Sequence, residues 1–517
     1  MRRRRRAKFY HQKHSKHKSH SGYKSHPQYK RGSTKTEPVD LKAIARKAMK
    51  KYGFTLDFPR EVMKKAERLD NRIVESRKNK VQDLRHLLWS SIDNIDTEDL
   101  DQIEYCEKKG ENIHIKVAIA DVDSYVPKDS ILDKHAQRNT TSVYTGVQIY
   151  PMFPDRLSKD LTSLPVNQDR LAMVTEFSVL PKGEVIPGKV YEAVVKNKAK
   201  LVYEQVGKWL ENKGPIQKQI NTKELKAQIK LQYEASQRLG KFRAKQGALE
   251  LQTMQTRAIV KNDKVLGLYI IEDDPAKRII ENFMIGANGV ISGMLEKSNR
   301  PTIQRVVKKP KYWKDIVALA GKHKFRLPGM PDASALSKFL DAQREKSPEL
   351  FSDLSLTIVK LLGPGEYVLY DKRKPIGHFC MAVTSYTHST APNRRYPDLI
   401  IQRLAKSFLD GTQTPYKKHE LVELANRCTE LEHAAKRVER FVTKAEGAVL
   451  LRKHLGEVFD AIVTGASRKG TYARLTDPPV EGKIMGDARG IRIGQQIRVK
   501  LINLDPYMGY IDFALQK

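Results

Sequence analysis

The 517-residue chain has few cysteines and no long apolar stretch. Cys106, Cys380 and Cys428 are far apart and odd in number, so the sequence predicts neither a disulfide framework nor a Cys-x-x-Cys metal site. No run of about 18 apolar residues occurs, which argues against a membrane span. The N-terminus also lacks the apolar segment of a secretory signal. We therefore expect a protein of a reducing compartment, and of the cytoplasm in particular.

The sequence also lacks the motifs of nucleotide-driven motors and of several hydrolases. The segment "GASRKGT" has the glycine spacing of a phosphate-binding loop, but no lysine follows its second glycine. The zinc motif H-E-x-x-H and the serine-nucleophile motif G-x-S-x-G are both missing. We therefore predict no nucleotide cofactor and no serine-hydrolase chemistry.

Acidic residues are in the minority, with 60 Asp and Glu against 95 Lys and Arg and a formal net charge of +35. Such an excess repels itself unless a polyanion is bound. Nucleic acid is the favoured partner, and an anionic membrane or a merely basic surface are the alternatives. Residues 1–36 hold thirteen Lys or Arg, five His and no acid. This composition predicts a disordered arm that adds sequence-independent phosphate contacts, or else a solubilising or targeting tail.

The pattern of apolar residues changes along the chain. Helical spacing is found in residues 37–85, and "IHIKVAIADVDSYV" predicts a buried strand. Two further strands are predicted on either side of a turn at residues 181–183. Residues 203–260 and 275–296 are predicted to be helical, the second with an Asp cap and Pro in its first turn. A long amphipathic helix is predicted over residues 417–454.

The last 60 or so residues contain short β-rich runs separated by Gly and Pro, which predicts a small five-stranded barrel of the OB type. Tyr472, in "KGTYARL", lies on one of these runs. Its ring is placed either to stack on a base or to pack inside the barrel.

Residues 91–106 form an acidic cluster without Lys or Arg, comprising Asp93, Asp96, Glu98, Asp99, Asp101 and Glu104. Clustered carboxylates repel one another, and a divalent cation relieves the repulsion. Oxygen ligands favour Mg²⁺ or Mn²⁺. Asp99 and Asp101 face the same side of an extended backbone, and Asp93 could join them from a preceding bend. The alternative is an exposed acidic loop.

An EF-hand calcium loop is excluded for this cluster, because Ile95 occupies its third position and Glu98 replaces the required Gly. A carboxylate–metal cluster in a basic chain indicates phosphodiester chemistry, in which paired metals about 3.5–4 Å apart activate water. An arginine would stabilise the charge on the phosphate. Arg394 and Arg395, in "STAPNRRYPDL", are the candidates, and a structural salt bridge is the alternative for this pair.

Three long blocks follow one another in a specific order. The first, "SIDNIDTEDLDQIEYCEKK", carries the spacing D-x5-D-x-D. The second runs from "VAIADVDSYVPKDS" to "DRLAMV", and the third is "GHFCMAVTSYTHSTAPNRRYPDLIIQRL". Together, over about residues 55 to 517, they resemble the ribonuclease II and ribonuclease R exoribonucleases, whose catalytic module is the RNB domain.

The resemblance implies roles for individual residues. It assigns Asp93, Asp99 and Asp101 to the metal site and Arg394 to the scissile phosphate. Mg²⁺ is the implied cofactor, with Mn²⁺ as the other option. Stacking on an aromatic ring suits binding without sequence preference. The RNA-binding residues that the resemblance implies are Tyr144, Glu281 and Glu439, with ordinary core or helix packing as the alternative for Tyr144 and Glu281. Arg395 and Tyr472 are added to the predicted RNA-binding residues from their own positions in the sequence.

The chain departs from the family's pattern at several positions. Gln102 stands where the block T-I-D-x5-D-x-D-D has its fourth aspartate, so this predicted metal ligand is a weak amide carbonyl. Asn282 replaces the second acid of a Glu-Glu pair. "TAPNRRY" replaces T-S-P-[IM]-R-[RK]-Y. About 85 residues, mostly helical or disordered by prediction, stand where the family usually has two cold-shock barrels.

We predict an α+β architecture in four parts. Residues 1–36 form the basic arm, and residues 37–85 form a helical N-terminal region. Residues 86–454 form an RNB catalytic domain, a mixed sheet with flanking helices. Residues 455–517 form a small all-β OB-type, S1-like domain that binds RNA.

The predicted function is 3′→5′ hydrolysis of single-stranded RNA to nucleoside 5′-monophosphates, in RNA degradation or processing. A monomer that binds no membrane is expected. The alternative is an RNB-fold RNA-binding protein with a weakened or lost catalytic site, for which Gln102 is the argument.

Overall fold

The computed structural model describes residues 39–218, 221–252, 255–261, 264–271, 273–467, 470–488 and 490–516. The predicted basic arm, residues 1–36, lies outside the described residues. The helices are α1 (Leu41–Lys51), α2 (Arg60–Glu67), α3 (Arg72–Arg77), α4 (Ile131–Asn139), α5 (Tyr203–Leu210), α6 (Lys223–Lys245), α7 (Pro275–Lys297), α8 (Trp313–Lys322), α9 (Ala333–Lys346), α10 (Pro348–Leu362), α11 (Tyr396–Leu409) and α12 (Lys418–Leu450). The strands are β1 (Gln82–Asp83), β2 (Ser90–Asp93), β3 (Gln102–Lys109), β4 (Asn112–Ala120), β5 (Val143–Tyr144), β6 (Ile149–Tyr150), β7 (Asp169–Val179), β8 (Val185–Lys196), β9 (Ala199–Val202), β10 (Gln255–Lys261), β11 (Lys264–Ile271), β12 (Ile303–Val306), β13 (Glu366–Leu369), β14 (Val458–Ser467), β15 (Gly470–Leu475), β16 (Glu481–Met485), β17 (Gln496–Asp505) and β18 (Tyr510–Gln516).

A seven-stranded mixed sheet, in the order β1-β8-β7-β4-β3-β2-β9, forms the centre of the fold. β1 pairs with β8 and β2 with β9 in parallel, and the other neighbouring strands are antiparallel. The side chains of β4 alternate between two buried cores, with Ile115, Val117 and Ile119 in one and Ala118 and Ala120 in the other. Both faces are covered at residues 117–120, which are continuously apolar, whereas the half-buried Asn112, His114 and Lys116 alternate with apolar residues earlier in the strand. The predicted buried strand is confirmed as far as Ala120.

The observed helices and strands confirm several of the predicted elements. β7 and β8 form the predicted hairpin. α7 begins at Pro275, and the side chain of Asp274 accepts a hydrogen bond from the N–H of Ala276 at 2.7 Å. α12 covers most of the predicted C-terminal helix. These elements were predictable because their caps and apolar periods are local features of the sequence.

The helix predicted over residues 203–260 is wrong at its C-terminal end. The helices α5 and α6 are present, but residues 255–261 form β10, which pairs with β11 in an antiparallel ribbon. The β-branched residues Thr256, Ile259 and Val260 favour an extended backbone. The pairing with β11 satisfies the backbone groups that a helix would otherwise satisfy internally.

The helix α1 packs against α12 in the N-terminal region. Ala48 and Met49 of α1 share a buried cluster with Val143 of β5 and Val438 of α12. Past α1, the backbone of Thr55 exchanges two hydrogen bonds with the Asn139 side chain, at 3.0 and 2.8 Å. The N-terminal helical region is therefore part of the same fold, and it supports the short hairpin of β5 and β6.

The strands β14 to β18 close into a barrel in the order β14-β15-β16-β18-β17, which confirms the predicted small five-stranded barrel. Its interior contains Ala473, Val499 and Phe513. Gly447 of α12 lies so close to Val480 that a Cβ atom there would be 2.9 Å from the valine side chain. The long helix thus joins the barrel to the central sheet. Among the described helices, none is long and apolar enough to cross a membrane.

Candidate active site

The acidic segment lies where β2 ends and β3 begins. Asp93 is the last residue of β2, and Asp101 directly precedes β3. The loop between them is held by Lys200, whose Nζ donates to the backbone carbonyl oxygen of Thr97. Because β2 and β3 are antiparallel neighbours, the chain brings Asp99 and Asp101 back towards Asp93.

The ionisation of Asp93 and of Asp101 is influenced by the neighbouring carboxylates of the cluster. Burial, and then the charge of Asp101, raises the pKa of Asp93 to about 7. Burial also raises the pKa of Asp101 to about 6, while Arg394 opposes the increase and Asp99 adds to it. Asp101 is only 3% exposed. The acidic cluster is therefore not an exposed loop at Asp101, which was the alternative given above.

Arg394 contacts this cluster from the segment before α11. Its Nε donates to Oδ2 of Asp101 at 2.5 Å. The carbonyl oxygen of Arg394 accepts hydrogen bonds from the N–H of Ser142 at 2.9 Å and from Oγ1 of Thr141 at 3.2 Å. The side chain is 39% exposed, and a guanidinium has five N–H donors. Arg394 can therefore bind a phosphate while it remains paired with Asp101.

The hairpin of β5 and β6 presents Tyr144 to the same cluster. The Tyr144 hydroxyl donates to Oδ2 of Asp99 at 2.8 Å. Burial raises the pKa of Glu439 on α12, and the nearby backbone of Tyr144 opposes this increase. Gly146, at φ +64°, lies against α12, and a Cβ atom there would be 2.5 Å from Oε1 of Glu446. Tyr144 is 37% exposed, so its ring is available for contact with a base.

The structure therefore brings together the four predicted catalytic residues, Asp93, Asp99, Asp101 and Arg394, with two of the predicted RNA-binding residues, Tyr144 and Glu439. Gln102, the predicted weak ligand, is the first residue of β3 and pairs with Ile119 of β4. It is 7% exposed. The departure from the four-aspartate pattern thus lies in the buried part of the site, next to Asp101.

Glu281 and Arg395 are placed differently from the residues of this cluster. Glu281 lies on α7 with its side chain 65% exposed, and it is 4.0 Å from the guanidinium of Arg243. Arg395 donates from Nη2 to Oδ1 of Asp398 at 2.7 Å, within the first turn of α11. This geometry matches the salt bridge named as the alternative for Arg395. Contact of either residue with RNA stays a prediction.

Tyr472 lies on β15 of the barrel. The adjacent Ala473 is fully buried in the barrel interior, and successive side chains of a strand face opposite sides. Tyr472 therefore faces outward, where Nζ of Lys444 lies 5.7 Å from its ring centroid. A ring on the outside of the barrel beside a lysine is compatible with base stacking, which stays a prediction.

Two further groups that were not assigned from the sequence are near enough to Asp93 to be influenced by its charge. Glu104 of β3 is completely buried, and burial together with the charge of Asp93 raises its pKa well above the usual value. Tyr203, at the start of α5, has its pKa raised by burial and by Asp93 and Glu104. The available signal for Glu104 was its spacing, since it follows Gln102 by two residues on the same strand.

The donor atoms of the site are those that a hard divalent cation prefers. In the described part of the chain around this cluster, the buried carboxylate oxygens without a hydrogen-bond partner are Oδ2 of Asp93, Oδ1 of Asp101, and Oε1 and Oε2 of Glu104. Burial of such atoms is unfavourable without a compensating partner. Within the described residues, however, no three Asp, Glu, His or Cys side chains are gathered closely enough to hold one ion. The chemistry of these residues thus fits a divalent cation. In the present structure, one oxygen of Asp101 accepts a hydrogen bond from Arg394, and one oxygen of Asp99 accepts a hydrogen bond from Tyr144.

Comparison with known proteins agrees with this geometry. The model of the RNB domain matches residues 81–411, and that of the RNase II-type exonuclease C-terminal S1 domain matches residues 457–516. Ribonuclease R of Thermotoga maritima is 29% identical over 497 residues, which cover 89% of this chain and 68% of the relative. The chain spans between 59% and 72% of the length of the curated relatives that it matches.

Solved structures show the same likeness. Mycoplasma genitalium RNase R in complex with ribose-methylated single-stranded RNA has a TM-score of 0.84 and 25% identity, covering 92% of this chain and 78% of that one. Yeast Ssd1, a pseudonuclease, shares the fold with a TM-score of 0.66 and 14% identity, covering 92% and 58% of the two chains. The RNB match extends over more than half of the sequence, and it includes the acidic cluster and Arg394. The chain therefore belongs to the RNB-domain exoribonuclease family of the RNase II and RNase R type.

Proposed function

We propose that this protein is a metal-dependent 3′→5′ exoribonuclease that hydrolyses single-stranded RNA to nucleoside 5′-monophosphates. The observation that carries the proposal is the ion pair of Arg394 with Asp101, next to Asp93 and Asp99. This arrangement combines an anion-binding group with carboxylates suited to Mg²⁺ or Mn²⁺. The related RNase R that was solved with single-stranded RNA supports RNA as the substrate.

Binding of the substrate depends on charge and stacking. The net charge of +35 attracts the RNA backbone without regard to sequence. The hydroxyl of the partly exposed Tyr144 ring is held on Asp99, and the hairpin that carries the ring packs against α12 through Val143 and Val438. A ring held in this way can stack on a terminal base with little further loss of freedom, and the last phosphate would then lie near Arg394.

Hydrolysis breaks the bond between phosphorus and the 3′ oxygen of the preceding nucleotide. The products are a nucleoside 5′-monophosphate and an RNA one nucleotide shorter, with a free 3′-hydroxyl. Asp93, Asp99 and Asp101 would hold the divalent ion, which when bound would supply activation of water and compensation of charge on the leaving oxygen. Arg394 stabilises the negative charge that develops on the phosphate oxygens. Asp101 also orients Arg394, because it accepts a hydrogen bond from Nε of the Arg394 guanidinium.

The test is a time course with 5′-labelled single-stranded RNA, in Mg²⁺ and then in Mn²⁺, beside the Asp101→Asn protein. We expect a descending ladder in the wild type only, with EDTA as the metal-free control. RNA labelled at its 3′ end should release the label as a mononucleotide from the first time point. Release of internal fragments instead would contradict the direction and the exonucleolytic mode.

The alternative is an RNA-binding protein whose catalytic site is weakened by Gln102. Intact RNA in both lanes despite a gel shift would support this alternative against the nuclease. If Gln102→Asp gained activity, Gln102 would be identified as the cause of the weakened catalysis. The monomeric state and the cytoplasmic location stay predictions, and size-exclusion chromatography with light scattering tests the former.

A further inference from the structure

The chain forms a six-residue π-helical turn at Arg156–Leu161, shortly after the hairpin of β5 and β6. Single π-helical turns are rare and occur frequently at functional sites. The N–H of Thr162 donates to the carbonyl oxygen of Leu157 at 3.0 Å, which closes the wide turn. Ser158 and Leu161 are buried within it. The carbonyl groups that such a turn leaves over therefore need partners from elsewhere in the protein.

Asn393, the residue before Arg394, supplies two of these partners. Its Nδ2 donates to the carbonyl oxygen of Ser158 at 2.8 Å and to that of Thr162 at 3.3 Å. Asn393 is 1% exposed, so both contacts are shielded from water. It stands at one of the departures of this chain from the family's late block, where the pattern has Ile or Met. An apolar side chain there would leave both carbonyl oxygens without this donor.

The residues just after the turn hold the acidic segment. Oγ of Ser163 donates to the carbonyl oxygen of Glu98 at 3.1 Å and accepts from the N–H of Leu100 at 2.9 Å. The N–H of Leu164 donates to the carbonyl oxygen of Leu100 at 3.0 Å. Asp99 therefore lies between two residues whose backbone is fixed to the same segment.

This segment is in turn anchored to the central sheet by Arg170 of β7. Nε of Arg170 donates to the carbonyl oxygen of Ser163 at 3.2 Å and to that of Asp160 at 3.3 Å. Its Nη2 donates to Oδ1 of Asp160 at 2.7 Å, and the residue is 2% exposed. Buried hydrogen bonds from a charged donor are strong. The turn thus connects the loop of Asp99 to the loop of Arg394 by a route that avoids the direct contact between Arg394 and Asp101.

We propose that Asn393 and Ser163 are positioning residues of the nuclease site, which hold Arg394 and Asp99 at a fixed separation through the π-helical turn. The inference rests on the proposed function, because it presumes that these two groups act on the same phosphodiester. A phosphate that binds to Arg394 competes with Asp101 for the guanidinium, whereas the contacts through the turn use neither side chain. The separation is therefore maintained during that competition, and a misplacement of about 1 Å can cost about 10²-fold in rate.

The test is a double-mutant cycle on the single-turnover rate of RNA cleavage at saturating enzyme. Asn393→Leu keeps the shape of the side chain and removes both donors. We expect it to lower the rate about 10- to 100-fold and to leave the Kd for RNA within about threefold of the wild-type value. In the Arg394→Lys protein the same change should lower the rate by less than about threefold, since the group that Asn393 positions is already replaced. An equal fold-loss in the two backgrounds, or no loss in the wild type, would overturn the role of Asn393.

Hydrogen exchange of the full chain in EDTA, without RNA, tests the connection apart from activity. Asn393→Leu should accelerate the exchange of the N–H groups of Leu100 and Leu164 by at least about threefold, because the turn joins them to the Arg394 loop. Faster exchange confined to the residues next to Asn393 would contradict the connection.

Ser163 is tested by the same two measurements. Ser163→Ala should accelerate exchange at Leu100 and lower the cleavage rate, and Ser163→Thr, which keeps the hydroxyl, should restore both. Ser337→Ala is the matched control, since it also removes a buried hydroxyl that donates to a backbone carbonyl, that of Ala248. Equal effects of Ser163→Ala and Ser337→Ala would show that Ser163 stabilises the fold without positioning Asp99.

Failure of this proposal is distinguishable from failure of the proposed function. If the wild type shortens RNA and Arg394→Lys lowers the rate, while the Asn393 and Ser163 variants do not, the nuclease stands and the positioning role falls. If the wild type does not shorten RNA with Mg²⁺ or Mn²⁺, both fail together. Should Asn393→Leu not fold, Asn393→Ser is the second variant, because its short hydroxyl cannot reach both carbonyl oxygens, and the same outcomes decide it.

Discussion

Arg394 and Asp101 are 293 residues apart in the sequence, yet Nε of the arginine lies 2.5 Å from Oδ2 of the aspartate. The contact joins the segment before α11 to the start of β3, so it links the third sequence block to the first. The other oxygen of Asp101 is buried and has no hydrogen-bond partner. One carboxylate can thus orient the arginine through one oxygen and face the carboxylate cluster with the other.

The first prediction concerns this pair. Arg394→Lys keeps the positive charge but loses the planar donor group that binds two oxygens at once. We expect kcat to fall by about 10²–10³, as for the loss of a donor to a developing negative charge. The Kd for RNA should change much less, because most of the attraction to the backbone comes from other basic residues. Single-turnover rates at saturating enzyme, together with filter binding, provide both quantities.

Arg395→Lys is the control for that experiment. Arg395 is the next residue in the chain, but it donates to Asp398. Its replacement should therefore affect the stability of α11 more than the rate of the chemical step. Equal losses of kcat in the two variants would contradict the assignment of Arg394 as the residue that contacts the scissile phosphate.

The second prediction concerns pH. Burial raises the pKa of Asp93 from 3.8 to about 7, so between these values the native protein holds a proton that the unfolded chain has released. In EDTA, this group therefore makes the free energy of unfolding decrease as the pH rises from about 4 to 7. The affinity for Mn²⁺ should show the opposite trend, because the cation competes with that proton.

Melting temperatures in EDTA and Mn²⁺ titrations, both across this range of pH, test the second prediction. Asp93→Asn should flatten the decrease in melting temperature, since an amide does not titrate. A wild-type melting temperature that rises steadily with pH, with no change of slope in Asp93→Asn, would show that the Asp93 carboxyl is not protonated in the native protein.

The sequence was sufficient to predict some of these relationships and not others. The spacing of Asp93, Asp99 and Asp101 predicts a common site, because a short loop between antiparallel strands returns the chain to its starting point. The complete burial of Glu104 depends on the packing of helices against β3 and β4, which no local pattern records. The contact of Tyr144 with Asp99 likewise depends on α12, which anchors the hairpin from nearly 300 positions away in the sequence.

The different roles of adjacent residues were also hard to predict from the sequence alone. Arg394 and Arg395 share the same motif, and their different partners follow from the direction in which α11 starts. Residues 255–261 continue a region of helical composition but find a strand partner in β11. In both cases the decisive interaction is tertiary, so it overrides the local preference.

The third prediction separates the two roles of Tyr144. Tyr144→Phe removes the hydroxyl that donates to Asp99 at 2.8 Å and keeps the ring. Tyr144→Ala removes both. We expect Tyr144→Ala to weaken the binding of short RNA by about 1–3 kcal/mol through the lost stacking, and Tyr144→Phe to retain most of the affinity. Fluorescence anisotropy with short oligonucleotides measures the difference, and equal losses would show that the hydroxyl matters and the stacking does not.

The fourth prediction concerns the N-terminal helix α1. Met49 is fully buried in the cluster that α1 shares with Val143 and Val438. Met49→Ala should lower the free energy of unfolding by about 2–5 kcal/mol. It should also raise the KM for short RNA, because the support of the Tyr144 hairpin is loosened. Urea denaturation and steady-state kinetics measure the two effects, and Lys47→Ala, on the exposed side of α1, is the control.

The fifth prediction concerns residues 1–36, whose thirteen Lys and Arg and absence of acids give the chain much of its positive charge. Each phosphate contact contributes about 0.7 to the slope of log Kd against log salt for a single strand. Deletion of residues 1–36 should therefore raise the Kd for RNA at low salt and flatten that slope, while the single-turnover rate at saturating enzyme stays the same. Replacing only Arg2 to Arg6 by Ala should give an intermediate slope. An unchanged slope after the deletion would mean that the arm contributes no phosphate contacts, and the positive charge of the remaining chain would then account for RNA binding.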